Sequence, residues 1–157
     1  MKESEDQSWL CHQIVTEAGD AVIMADREGT IRLWNKGAEL IFGFGRVEAL
    51  GQSLHIIIPE NLRKRHDQGY HKVMENGQSK YSSELLAVPA LKKDGSRISV
   101  EFSMILIRDG QSRILGATAI IRNVTTRWEK ERAMKRRLTE LEAQIGGSPG
   151  APYLKTI

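Results

Sequence analysis

The stretch from Asp20 to Glu39, DAVIMADREGTIRLWNKGAE, decides how the rest of the chain reads. Ala21-Val22-Ile23-Met24-Ala25 is a compact apolar run, Asp26-Arg27-Glu28-Gly29 is a turn, and Thr30 to Trp34 alternates. Together they predict a β-hairpin. Asn35 then stands where a helix N-cap belongs, and Ala38, Leu40, Ile41 and Phe42 form the apolar side of the helix it opens. Gly43, Gly45 and Gly51 break the following segment into short pieces.

Downstream, Pro59-Glu60 opens a longer helix over about 60–75, closed by Asn76-Gly77. The period then changes from helical to alternating. Glu84 to Leu91, Ile98 to Ile107 and Ile114 to Asn123 read as three antiparallel strands, separated by turns at Lys93-Asp94-Gly95 and Asp109-Gly110-Gln111. Val100, Phe102, Met104 and Leu106 alternate with Glu101, Ser103 and Ile105. Pro89 places the first of these strands at a sheet edge or a bulge, because proline has no N–H for a ladder.

Upstream, Trp9, Leu10, Ile14 and Val15 sit at helical spacing and predict a short amphipathic helix over 7–18. After Thr125 the pattern is again helical and charged, with Met134, Leu138, Leu141 and Ile145 spaced four, three and four. That seam fits pairing with a second copy; a solvated helix against its own domain fits equally. The expected organisation is an N-terminal cap helix in 1–18, a core over 19–125, an exit helix over 126–145 and a flexible tail over 146–157. The class is α+β, one five-stranded antiparallel sheet with short helices on one face. A pocket between the two layers goes with that architecture.

The chain has 157 residues, 40% of them hydrophobic, a formal net charge of +3 and one cysteine, Cys11. One cysteine excludes an internal disulfide framework and a multi-cysteine zinc site. No run approaches the ~18 apolar residues of a membrane helix, and the acidic start carries no signal-peptide pattern, so a cytoplasmic protein is expected. The small charge surplus, interleaved with acids, gives no nucleic-acid footprint. No nucleophile–base pairing, metal-ligand spacing or phosphate loop appears, so catalysis is not expected.

These elements, in this order, resemble the PAS domain. The match is carried by Asp20–Asp26, Gly29-Thr30-Ile31, Trp34-Asn35-Lys36-Gly37-Ala38-Glu39, Phe42-Gly43-Phe44 with Glu48-Ala49-Leu50-Gly51, Lys93-Asp94-Gly95-Ser96 and Asn123-Val124-Thr125. Asn123 stands where the family usually has an aspartate. The resemblance implies a sensor or dimerisation module. It would form a homodimer through the cap and the C-terminal helix. It would serve an output kinase, cyclic-dinucleotide enzyme or transcription regulator, with no nucleic-acid or membrane partner.

The resemblance also implies candidate cofactors. A flavin–thiol photoreceptor needs a cysteine on the longer helix, and none is there. Heme b is the named candidate, because Ile57-Ile58-Pro59-Glu60-Asn61-Leu62-Arg63-Lys64-Arg65-His66-Asp67 is similar to the helix of heme-PAS oxygen sensors. His66 stands seven residues after Pro59, at the spacing of their axial iron ligand. Leu62, His66, Gly69 or Tyr70, and Val73 share one helical face. Lys72 falls where those sensors use an arginine for a heme propionate, and Arg63, Lys64 and Arg65 lie close by. The expected cofactor set is therefore His66, Tyr70, Lys72, Val73, Ile57 and Leu86, with His66 as the metal ligand. The sequence departs from the sensors at three positions. Tyr70 comes one residue late, Leu86 replaces the arginine that bonds oxygen, and Glu84 replaces a second axial methionine. An apolar distal wall would favour carbon monoxide or nitric oxide. His12, His55 and His71 read as surface or structural, Trp34 and Trp128 as packing. The alternative is a PAS module without ligand, its pocket filled by Phe42, Leu54, Ile57 and Phe102.

Overall fold

A computed structural model describes residues 2–79 and 85–146. The elements are α1 (Lys2–Glu17), β1 (Ala21–Asp26), β2 (Ile31–Trp34), α2 (Lys36–Phe42), α3 (Arg46–Ala49), a 3-10 turn (Leu54–Ile57), α4 (Glu60–Asn76), β3 (Leu86–Leu91), β4 (Arg97–Arg108), β5 (Ile114–Asn123) and α5 (Thr125–Gly146). The five strands form one antiparallel sheet in the order β2-β1-β5-β4-β3. The chain divides into two compact units, Met1–Val124 and Thr125–Ile157.

Register explains which residues face the helices. Ala21, Ile23 and Ala25 pair with Ile121, Ala119 and Ala117, which pair in turn with Phe102, Met104 and Leu106. Val88 and Ala90 continue the row opposite Val100 and Ile98. Directly paired residues share a face, so this row forms the floor of the core. Ile31 and Trp34 of β2, opposite Ala25 and Ile23, extend the row, and Ala38, Phe42, Ala49 and Ile57 cover it. The predicted alternation in β4 therefore holds. Pro89 lies on β3, an edge strand, opposite Ser99 of β4, where a residue without an N–H is tolerated.

Asn35 caps α2 as expected, accepting from the Ala38 N–H at 3.0 Å. Two boundaries differ from the sequence expectation. α1 begins at Lys2 rather than at residue 7, because Lys2, Glu3 and Glu5 are good helix formers that need no apolar partner. The glycine-broken segment contains a one-turn helix, α3, whose Gly45 N–H donates to the Glu48 carboxylate at 2.7 Å. The predicted flexible tail, beyond Gly146, lies outside the described residues, as does Glu84.

Candidate functional site

The sequence-predicted residues lie mainly on α4, and α4 spreads them over three surroundings. His66 and Tyr70, one turn apart, stack with ring centroids 5.7 Å apart and an interplanar angle of 25°. The Tyr70 hydroxyl reaches β1, donating to Asp26 O at 2.7 Å and Ala25 O at 3.1 Å. Val73 packs with Met74 and Ile114, further along the helix. Lys72 is exposed. Ile57 belongs to the main core with Trp34 and Phe42, and Leu86 pairs through its backbone with Phe102. His66 and Tyr70 thus come together, whereas Lys72 and Ile57 lie apart from that pair.

Sequence reasoning missed the partner that organises this corner. His55, on the 3-10 turn, approaches both oxygens of Asp67 through Nε2, at 2.8 and 3.0 Å. Asp67 Oδ1 also lies 3.4 Å from His66 Nδ1. One carboxylate therefore sits between two imidazoles and ties the 3-10 turn to α4. The hydrogen bond from His55 holds the Asp67 carboxyl below its ordinary range. Burial holds His66 below the usual imidazole range, while Asp67 pulls the other way. Both shifts have the same linkage sign, since in each the folded state binds fewer protons than the unfolded chain. The contribution of His66 is lost as pH falls through the ordinary imidazole range, near ~6.5, and that of Asp67 at lower pH, below ~3.9. The melting temperature is therefore expected to fall between pH 7.5 and pH 5.5, with a shallower slope in His66→Gln. An equal slope in the variant would show that another group carries the effect.

Space at this corner is small. A cavity of about 120 Å³ is lined by Glu28, Ser53, His55, His66, Asp67 and His71. Small-molecule pockets usually span ~300–1,000 Å³ and are mostly apolar. A larger open cleft of about 590 Å³ lies between Gly77 and the β4–β5 hairpin, lined by Arg27, Arg108 and Arg113, and does not include His66.

The space between sheet and helices is occupied by the chain itself. The Trp34 and Phe42 rings lie 5.6 Å apart, and the Trp34 indole N–H donates to Phe44 O at 2.9 Å. Phe42 and Ile57 are buried, with Leu54 and Phe102 packed against them. Among the described residues, no buried side-chain nitrogen or oxygen lacks a hydrogen-bond partner. None therefore marks a place reserved for a ligand. A porphyrin beside His66 does not fit this packing: the adjoining cavity, at about 120 Å³, is too small, and Trp34 and Phe42 pack together in the interior. Of the expected propionate cations, Arg63 already donates to Ile58 O at 3.1 Å.

Comparison with known proteins agrees with the architecture. Residues 11–124 match the model of the PAS fold. Sensor protein FixL of Bradyrhizobium diazoefficiens is 27% identical over 126 residues, covering 80% of this chain and 24% of that protein. The signal transduction histidine-protein kinase AtoS of Escherichia coli is 27% identical over 121 residues, covering 77% of this chain and 19% of that protein. The chain thus spans a quarter or less of these relatives. The crystal structure of a PAS domain from Colwellia psychrerythraea superposes with a TM-score of 0.68 at 23% identity, covering 77% of this chain and 99% of that one. The β1–β2 hairpin followed by the helix that Asn35 caps, the strand order β2-β1-β5-β4-β3 and the match over residues 11–124 agree, and the chain belongs to the PAS fold family.

Proposed function

We propose that this chain is the signal-relay module of a larger sensor protein, working as a homodimer through its terminal helices and serving a kinase output. In this reading the core is closed by its own side chains, and changes in sheet packing pass along β5 into α5. The observation that carries it is the join between the two elements. Buried Val124 donates its N–H to Ser99 O at 2.9 Å, and α5 starts at the next residue. β5 is also the middle strand of the sheet, so every change in its neighbours acts on it. The relatives named as a sensor and as a histidine-protein kinase support an output of that kind.

Hydrogen exchange tests the relay. Ile121→Val on the inner face of β5 is expected to speed exchange in the first two turns of α5 more than in α2. Faster exchange in β5 with unchanged α5 protection would refute it. An absorption titration with hemin tests the closed core. No Soret band beyond that of free hemin is expected, either in the wild type or in His66→Ala. A band present in the wild type and lost in His66→Ala would restore the heme reading, with His66 as ligand.

A further inference from the structure

Three arginines gather at one end of the sheet, brought there by three adjacent strands. Arg27 follows the last residue of β1, Arg108 ends β4, and Arg113 stands just before β5. β5 lies between β1 and β4 and pairs antiparallel with both, so the three positions come out at the same end of the sheet. There they line the open cleft of about 590 Å³ beside Gly77, at the end of α4. The cleft also has an apolar part: Met74 and Ile114 are buried in one cluster, and Leu115 is 46% exposed. We propose that this cleft binds a small organic monocarboxylate, its charge held by Arg27 and Arg108 and its apolar body laid on Met74, Ile114 and Leu115.

The backbone orients these side chains without neutralising them. Arg27 Nη1 donates to Ile114 O at 3.0 Å. Arg108 donates through Nη1 to Ser112 O at 3.0 Å and through Nη2 to Gly77 O at 3.3 Å. A guanidinium has five N–H donors, so these contacts fix each fork and leave donors over. Ser112, at φ 63°, is the one non-glycine residue with positive φ among the described residues, so the hairpin holds a strained backbone where its carbonyl engages Arg108. Among the described residues neither Arg27 nor Arg108 has a carboxylate partner. The acids next to them in sequence are committed elsewhere. Asp26 pairs with Arg32 at 2.7 Å and accepts the Glu28 and Thr30 N–H groups. Asp109 pairs with Arg113 at 2.7 Å and accepts the Gln111 and Arg113 N–H groups. Charge then selects the ligand. Three arginines against Glu75 and Asp109 leave the lining one positive charge in excess. One carboxylate balances it, whereas a phosphate ester brings close to two negative charges. The apolar part favours an organic body over a bare inorganic ion, and the volume lies within the ~300–1,000 Å³ of small-molecule sites.

Anion binding here is independent of the dimeric relay, since every lining residue lies within Met1–Val124, and the Ile121→Val exchange experiment judges the relay alone. An amide-shift titration of the isotope-labelled full chain with sodium benzoate tests the site, with benzamide as the neutral isostere. Saturable shifts are expected at Arg27, Gly77 and residues 110–115, with a dissociation constant of about 0.1–1 mM, and none with benzamide. Arg27→Gln is expected to weaken benzoate binding about tenfold. Glu75→Gln is expected to tighten it about twofold, because it removes a like charge from the lining. A purely structural role for the arginines would not give that second effect. Glu75 is exposed, so its variant keeps the fold and can be read even where Arg27→Gln loosens the β1–β2 turn. No saturable shift up to about 20 mM, equal shifts with benzamide, or unchanged affinity in both variants would each overturn the site. Shifts centred on the Trp34–Phe42 core or on the His66 corner would overturn it as well. Tighter binding of phenyl phosphate than of benzoate would overturn the assignment to a monocarboxylate.

Discussion

Asn35→Ala is expected to cost about 3–5 kcal/mol of folding stability, the sum of a lost cap and of buried backbone groups left without partners. Asn35 is 4% exposed, and its amide serves five backbone groups. Oδ1 accepts from Val22 N at 2.8 Å and from Ala38 N at 3.0 Å. Nδ2 donates to Val15 O, Ala18 O and Asp20 O, at 2.9, 3.3 and 3.0 Å. One side chain thus joins the end of α1, the start of β1 and the start of α2. Alanine removes all of these bonds at once. Asn35→Asp keeps the acceptor but sets a charge against three carbonyl oxygens, so it is expected to fall well below wild type too. Urea unfolding measures both. A loss under about 1 kcal/mol for alanine would mean that the segment re-forms around a different cap.

Asn35 also marks how far a sequence can be read. Its place before an apolar helical run predicts a cap, and the cap is there. Its other bonds depend on carbonyls of α1 and on Val22, brought to it by tertiary structure, and no local pattern announces them. The strands were readable for the same reason as the cap, since alternation in β4 and turn residues on either side are local signals. The candidate site was not. Helical spacing correctly puts Leu62, His66, Tyr70 and Val73 on one half-buried face of α4. Spacing says nothing about depth, nor that Trp34 and Phe42, from other elements, pack together in the core. Nor does it connect His55 with Asp67, which meet only because the 3-10 turn folds back on α4.

Gly116→Ala is expected to cost about 3 kcal/mol or more, because the added carbon would collide with backbone rather than with a side chain that can move aside. A Cβ at Gly116 would lie 2.0 Å from Ala25 O and 2.9 Å from Asp26 Cα, across the β1–β5 ladder. Met24 Cε, also at 2.9 Å, could swing away, but the carbonyl could not unless β1 and β5 part. Parting them disturbs a second contact. Ala25 O and Asp26 O are the acceptors of the Tyr70 hydroxyl, so the tie between α4 and β1 should loosen with the ladder. Hydrogen exchange is then expected to rise in β1 and around Tyr70 together. Gly110→Ala, at a hairpin where the new carbon meets nothing within 4 Å, is the control and should stay within about 0.5 kcal/mol of wild type. Equal stability of the two variants would mean that the sheet accommodates a methyl at its centre. The requirement for glycine at 116 would then lie outside the β1–β5 packing.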